Sequence, residues 1–500
     1  MRLLLPFQRA VRPTRRADLL RGLLAINWLI LAAGTTLLSA LSSITVANIW
    51  GTGLSDTSFY DAAERAGLWF NLVLYGLPVI LSTLVARVLP HWWRRVLLFC
   101  GILPLFLGAA TSDRFVSLIV VTAILLPVCW GGRELVQRFS SVADRGTAWA
   151  LGAALGIVIV GLVGFIAGLI GFLRPLLLWP LLCGTMTILS ASTARIRLAH
   201  DLSAARRWSC RPLALTPTRI LLGGLLVATT WSVILGALAP ETTSDATRQR
   251  TPAALHFALT RSLEVSDPAV SVALLPALGE ITYATVLAVG PLPSAKLFEL
   301  AVSGICIALV MALGKRLGGR RAGEFAAFSF ATMPLVIWLG QTAYLDLFTC
   351  LAALAAALLL LTPPIPDRVT ALMSGLFCGW GIAVKVHFAY VVVGLGFTLL
   401  LLTLGAPGMW LGRARRAASL TTIFGAAAFI AMLLPLIRSA ILTGQIPGLA
   451  LATQSFGRAS GTSPSVLADL PSFGYGRDPL HLLLLPLDLT LHSLKGVAQK

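Results

Sequence analysis

Four ionisable side chains lie within or at the ends of strongly apolar segments. Asp245 follows one apolar run, and Glu280 lies inside another. Asp346 begins a third run and Lys385 ends a fourth. An ionisable residue at membrane depth is costly and therefore indicates function. A carboxylate can act as a general base toward a hydroxyl or amine, and a lysine can hold a phosphate and stabilise leaving-group charge.

Three of these residues also have a purely structural interpretation. Asp245 and Asp346 are suited to cap a helix or to favour the positive end of its dipole. Lys385 could extend its ammonium group to the membrane interface. Together with Arg438, which leaves a later apolar run, the group suits a transferase acting on a lipid-linked phosphate. It suits a proton-coupled transporter equally well.

The composition indicates which environment these charges occupy. The chain has 500 residues, of which 57% are hydrophobic and 12% are charged. Soluble domains carry about 25% charged residues, so one water-soluble globule and a disordered chain are both excluded. The formal net charge is +19, but the apolar runs leave little room for the solvated basic face that nucleic-acid binding needs. No nucleic-acid partner is expected.

Long apolar runs predict an all-α polytopic integral membrane protein with about 12–13 transmembrane helices. A spanning helix needs roughly 20 mostly apolar residues, and these runs lack the strict alternation of barrel strands. The first run predicts an uncleaved anchor. The runs lie near 20–42, 67–88, 96–111, 116–131, 147–171, 175–193, 219–240, 295–314, 322–340, 343–361, 369–384, 387–404 and 419–437.

The distribution of basic residues predicts the orientation. Cytoplasmic loops carry an excess of Lys and Arg, and the segment before the first run holds five arginines between Arg2 and Arg16. With this N-terminus in the cytoplasm, alternate loops collect most of the Lys and Arg. Most Asp and Glu then fall outside. We therefore expect a multi-pass protein of the cytoplasmic membrane whose candidate site lies on the outer face.

Two unusual connections divide the chain. A basic cytoplasmic linker, 194–218, separates a six-helix membrane region of unknown role, 1–193, from the remainder, 219–500. The predicted outer segment 241–294 contains an apolar run that is short for a membrane span. A helix lying at the outer interface is therefore expected around Leu274–Val289.

Several short motifs in the second part of the chain occur in a recognisable order. They are Asp245-Ala246 with Pro252, Pro276-Ala277-Leu278-Gly279-Glu280-Ile281-Thr282-Tyr283, Ala343-Tyr344-Leu345-Asp346, Gly379 to Lys385, and Leu434-Pro435-Leu436-Ile437-Arg438. In this order and spacing, 215–490 resembles the membrane-embedded GT-C glycosyltransferases that use polyprenyl-phosphate sugars. The resemblance is to the branch of the lipid A aminoarabinose transferases, protein mannosyltransferases and RgtA/B/C/D-like proteins.

The resemblance implies a GT-C-like catalytic domain and a role for each motif residue. Asp245 would be the catalytic base that deprotonates the acceptor. Glu280, Tyr344 and Asp346 would orient the acceptor or a metal, and Lys385 and Arg438 would contact the donor phosphate. The implied partners are a polyprenyl-phosphate sugar donor, a lipid, glycan or protein acceptor, and the lipid bilayer. No cofactor is required, although the site is compatible with a divalent metal.

The chain departs from the family pattern directly after Asp245-Ala246. The family continues with Tyr-His, whereas this chain has Gln249-Arg250 preceded by Arg248. The two arginines would add phosphate-binding charge in place of a histidine. Relatives also continue with further helices past the position of Lys500, so a C-terminally shortened copy is one expectation. The alternatives to an enzyme are a lipid or polysaccharide flippase and an inactive GT-C-like copy.

Overall fold

The computed structural model describes residues 105, 114–139, 144–175, 178, 203, 217–241, 243, 245–265, 275–362 and 366–443. Every regular element in this part of the chain is a helix, which confirms the all-α prediction there. Five of these helices are long and apolar enough to cross a membrane. The runs predicted near 20–42, 67–88, 96–111 and 175–193 fall outside or almost outside the described residues.

Eleven α-helices are described, which we number in chain order. They are α1 (Phe115–Phe139), α2 (Arg145–Leu169), α3 (Pro217–Leu238), α4 (Thr251–Thr260), α5 (Leu278–Leu287), α6 (Ser294–Ala331), α7 (Pro334–Leu339), α8 (Asp346–Leu361), α9 (Arg368–Val384), α10 (Ala389–Leu404) and α11 (Trp410–Thr443). A π-helical turn, Ala246–Arg250, precedes α4, and a 3-10 turn, Val386–Phe388, separates α9 from α10.

Contacts between helix ends define one end of the bundle, which we call the basic end. The Lys315 ammonium is 2.7 Å from the carboxylate of Asp144, which caps α2. Arg316 donates to the carbonyl of Leu361 at the end of α8, and Arg416 donates to the carbonyl of Pro366 just before α9. The start of α2, the middle of α6, the end of α8 and the starts of α9 and α11 therefore lie together.

The opposite helix ends meet at what we call the site end. The ammonium of Lys385, directly after α9, is 2.8 Å from Asp346 at the start of α8. The Ala343 backbone N–H donates to Glu241, which follows α3. All of the candidate residues proposed from the sequence lie at or near this end. Those on α8, α9 and α11 lie at the helix ends opposite the ones that meet at the basic end.

Gly319 turns α6 back on itself. Its backbone has φ 83° and ψ −177°, a conformation that costs glycine little and other residues much. Beyond this kink, Gly323 packs against Met311 and Lys315 of the first arm. The two apolar runs predicted at 295–314 and 322–340 are therefore separate arms of a helical hairpin.

The core is continuous across the helices from α1 to α11. Phe348 of α8 lies near its centre and packs edge-on against Tyr283 and Trp380, with ring centroids 5.3 and 5.8 Å away. On the other side of the core, Gly375 of α9 faces the backbone of Phe424 on α11, so these two helices pack closely. Helices from both sides of the predicted linker 194–218 contribute to this core.

The expected interfacial helix exists as α5, but its surroundings differ from the prediction. All ten of its residues are buried in protein instead of facing the membrane interface. Gly161 and Gly164 of α2 lie directly against Thr282 and Thr285 of α5. Small residues let helix backbones approach closely, so α2 packs directly onto α5.

Candidate functional site

Arg250 joins two carboxylates at the site end. Its guanidinium is 2.5 Å from Glu280 and 3.4 Å from Asp245. Burial disfavours the charged form of Arg250, but the two carboxylates outweigh burial and raise its pKa above the ordinary value. Arg250 therefore stays cationic and connects the segment after α3 to α5.

The π-helical turn brings Asp245 and Arg250 together. The Thr251 N–H donates to the Ala246 carbonyl, five residues back, and Pro252 has no N–H to continue the α-helical pattern into this turn. Single π turns are frequent at functional sites. The Asp-Ala…Pro motif therefore forms a π-helical turn, and this turn brings the Arg250 side chain back to Asp245.

Glu280 is the most buried of the predicted site carboxylates. Its side chain is 1% exposed, and its second oxygen, Oε2, has no hydrogen-bond partner among the described residues. Pro276 and the left-handed backbone of Ala277 begin α5 abruptly. This start places Glu280 in the first turn, where a carboxylate favours the helix dipole.

Asp346 and Lys385 form the second ion pair. Asp346 lies in the first turn of α8, and its side chain is 41% exposed, whereas that of Lys385 is 14% exposed. The backbone of Lys385 is extended, with φ −144° and ψ 117°, where α9 ends. This break turns the lysine toward Asp346 instead of continuing the helix.

Tyr344 lies between the two ion pairs. Its ring packs on Trp338 with the centroids 4.9 Å apart. Partial burial and the nearby carboxylates of Asp245 and Asp346 raise the pKa of its phenol, so Tyr344 is neutral at physiological pH. A neutral phenol can both donate and accept a hydrogen bond, which suits it to orient a hydroxyl.

The segment that carries Tyr344 is held from both sides. Glu241 accepts a 2.9 Å hydrogen bond from the Ala343 N–H and others from Thr243. The buried Tyr283 hydroxyl is 2.7 Å from the Tyr344 carbonyl and 2.6 Å from Glu299 of α6. These contacts fix the position of Tyr344 relative to both ion pairs.

The two remaining predicted residues have different environments. Arg438 is buried, donates to the carbonyls of Leu263 and Leu275, and lies over the Phe257 ring. Arg438 therefore connects the segment before residue 266 to the segment after residue 274. A contact with the donor phosphate would be a second role. Arg248 is exposed and forms no ion pair with the described residues.

Three further charged residues lie at the site end and were not among the site residues predicted from the sequence. Glu241 and Glu299 support the Tyr344 segment, and Lys296 donates to the carbonyls at the end of α3. The available signal for Glu299 is a carboxylate inside the apolar run 295–314. Glu241 lies four residues before Asp245 in the same polar segment. The sequence alone does not show which of the two carboxylates supports the structure and which one is free for chemistry.

The arrangement of His, Cys, Asp and Glu side chains determines whether the described part of the chain could hold a metal ion. In that part of the chain no group of three or more His, Cys, Asp or Glu side chains is arranged to hold a metal ion. Asp245, Glu280 and Asp346 are instead paired with arginine and lysine. The site therefore offers carboxylates that can accept a proton, and two cations, Arg250 and Lys385, that can attract an anion.

Comparisons of the chain with models of known protein families, with curated proteins and with solved structures gave no match.

Proposed function

We propose that the chain is a membrane glycosyltransferase. It would move a sugar from a polyprenyl-phosphate donor to a lipid, glycan or protein acceptor on the outer face of the cytoplasmic membrane. The proposal rests on the resemblance of the motifs around Asp245, Glu280, Asp346 and Lys385 to GT-C transferases. The observation that carries it is the meeting of these motifs at the end of the bundle opposite the basic end, since basic ends favour the cytoplasm.

The proposed reaction is a single displacement at the anomeric carbon. Asp245 takes the proton of the acceptor hydroxyl or amine while the acceptor atom bonds to the anomeric carbon. The bond from that carbon to the phosphate oxygen breaks, and polyprenyl phosphate leaves with the electron pair. Direct displacement inverts the anomeric centre.

The ion pairs suggest how charge is managed during this step. Lys385 is paired with the partly exposed Asp346, so an incoming donor phosphate can share its ammonium. Arg250 holds the Asp245 carboxylate in place beside the site through a guanidinium contact at 3.4 Å. Tyr344, between the pairs, would orient the acceptor.

Release of polyprenyl phosphate by the purified full chain tests the proposal. A labelled polyprenyl-phosphate sugar is supplied in neutral detergent with a lipid or glycan acceptor. Asp245→Asn keeps the shape but removes the base, so we expect turnover to fall about 10²-fold or more. Glu264→Gln, an exposed carboxyl change in the loop after α4, serves as the control and should keep the rate.

Equal turnover by Asp245→Asn and the unmodified chain would remove the base assignment. Thermal unfolding of both variants checks that each one is folded.

Transport is the second candidate function, and two structural features favour it. The short helix α5 is buried in protein and carries Glu280, and the chain breaks its helical conformation at Lys385. Transporters commonly form substrate sites from interrupted helices. Donor binding without release of polyprenyl phosphate, coupled to movement of the donor across a vesicle membrane, would favour transport over transfer.

A further inference from the structure

A cleft with three arginines lies at the basic end, far along the helices from the site described above. It has a volume of about 430 Å³ and is formed between the starts of α9 and α11. Arg368, Arg415 and Arg416 line it together with Ser419. The one carboxylate in the lining, Asp367, caps α9 by accepting from Thr370. The cleft therefore has a local excess of positive charge.

Arg368 occupies a position that helix electrostatics disfavours, and two more arginines lie near the start of the neighbouring helix. Arg368 is the first residue of α9, and Arg415 and Arg416 lie in the second turn of α11. The start of a helix carries partial positive charge and favours anions. Among the described residues no carboxylate is within ion-pairing distance of these three arginines. Three guanidinium groups thus converge at two helix starts beside a single carboxylate of the described part of the chain, that of Asp367, which is occupied in capping α9.

The surroundings of the cleft indicate that its ligand belongs to a membrane. Met409, Trp410 and Leu411, at the start of α11, are 85%, 63% and 79% exposed. Tryptophan is typical of the membrane–water interface. Exposed apolar side chains therefore lie close to the arginines along α11. A ligand with both an anionic group and an acyl chain could contact the arginines with the first and the apolar side chains with the second.

We propose that this cleft binds the phosphate headgroup of an anionic phospholipid. Arginine recognises phosphate through paired N–H donors, and basic pockets between transmembrane helices bind anionic lipid headgroups. Arg416 already donates to the Pro366 carbonyl, which leaves Arg368 and Arg415 as the principal phosphate contacts. The lipid would join the start of α9 to the start of α11. This inference is independent of the proposed glycosyl transfer.

Lipid binding to the purified full chain in neutral detergent tests the inference. The probe is labelled dioleoyl phosphatidylglycerol, with phosphatidylcholine as the neutral comparison. A single basic residue near an anionic surface strengthens binding about fivefold, so Arg368→Gln with Arg415→Gln should weaken phosphatidylglycerol binding about 30-fold. Arg415→Lys keeps the charge and should retain most of the binding.

The matched control removes two charges elsewhere on the same end. Arg320→Gln with Arg321→Gln alters exposed arginines of the α6 hairpin and should leave binding within about twofold of the unmodified chain. Equal binding of both lipids, or equal losses in the two double variants, would overturn the inference. Full displacement of the lipid by soluble glycerol phosphate would also overturn it, because the ligand would then be a free anion.

Discussion

Arg250 is the residue on which the electrostatics of the site end depends. It is the one described ion-pair partner of Glu280, whose side chain is 1% exposed, and it also holds Asp245. A buried carboxylate without its partner is strongly disfavoured. Arg250 therefore stabilises the fold and links the buried Glu280 to the proposed base.

Replacing Arg250 should destabilise the protein much more than replacing its exposed neighbour. We expect Arg250→Gln to lower the free energy of unfolding by about 3 kcal/mol, because it leaves the buried Glu280 without its ion-pair partner. Arg248→Gln, two residues away and exposed, should change it by less than about 0.5 kcal/mol. Thermal unfolding in neutral detergent measures both.

A second substitution separates charge from shape in this experiment. Glu280→Gln added to Arg250→Gln removes the buried charge and should recover part of the loss, since the two residues are coupled. Identical unfolding of Arg250→Gln and Arg248→Gln would show that the pair contributes nothing to stability.

The sequence indicated which residues carry charge into apolar surroundings but not which ones pair. Asp346 and Lys385 are 39 residues apart, and Arg250 and Glu280 are 30 apart. Such pairs depend on how helices pack, which residue type and hydropathy do not determine. The departure from the Tyr-His motif was visible in the sequence, whereas the role of Arg250 as a bridge required the π-helical turn.

The contact between α2 and α5 places Glu280. A Cβ atom added to Gly164 would overlap the Thr285 hydroxyl, which itself donates to the Ile281 carbonyl. Separation of these helices would move the first turn of α5 and the carboxylate it carries. The contact therefore links the predicted N-terminal region to the site end.

Gly164→Ala should destabilise the protein by about 1–3 kcal/mol, as overpacking of a close contact does. Gly304→Ala is the matched control, because a Cβ atom at Gly304 on α6 meets nothing within 4 Å. That control should be neutral or slightly stabilising, since alanine favours helix. Thermal unfolding compares the two, and equal effects would show that the α2–α5 contact tolerates a methyl group.

Hydropathy predicted the helices well where they are apolar and poorly where they are not. The run at 147–171 corresponds closely to α2, Arg145–Leu169, whereas the run at 419–437 is only the middle of α11, Trp410–Thr443. The first turns of α11 carry arginines, which a search for apolar residues omits. For α5, periodicity could not show that glycines of a distant helix would bury it.

The molecule has two chemically different ends. In the part of the chain that the structure describes, carboxylates and their partner cations gather at the site end, whereas several arginines and Lys315 lie at the basic end. The positive-inside tendency predicts that the basic end faces the cytoplasm. The proposed function depends on this orientation, because an acceptor on the outer face must reach Asp245 and meet the polyprenyl-phosphate sugar donor there.

Labelling with a membrane-impermeant maleimide tests the orientation in intact cells. Arg248→Cys at the site end should react from outside, whereas Arg321→Cys at the basic end should react only after the membrane is opened. Both positions are exposed in the protein, and the unmodified chain gives the background from its own cysteines. The opposite labelling pattern would place the site end in the cytoplasm.

The burial of α5 by α2 also implies an order of assembly during biosynthesis. The ribosome produces α2 more than 100 residues before α5 is complete, so the glycine face of α2 enters the bilayer without its partner. Lipid tails solvate such a face at little cost, but hydrocarbon does not solvate Glu280 or Arg250. Insertion of α2 therefore comes first. Docking of the charged α5 follows, onto a surface that is already in place.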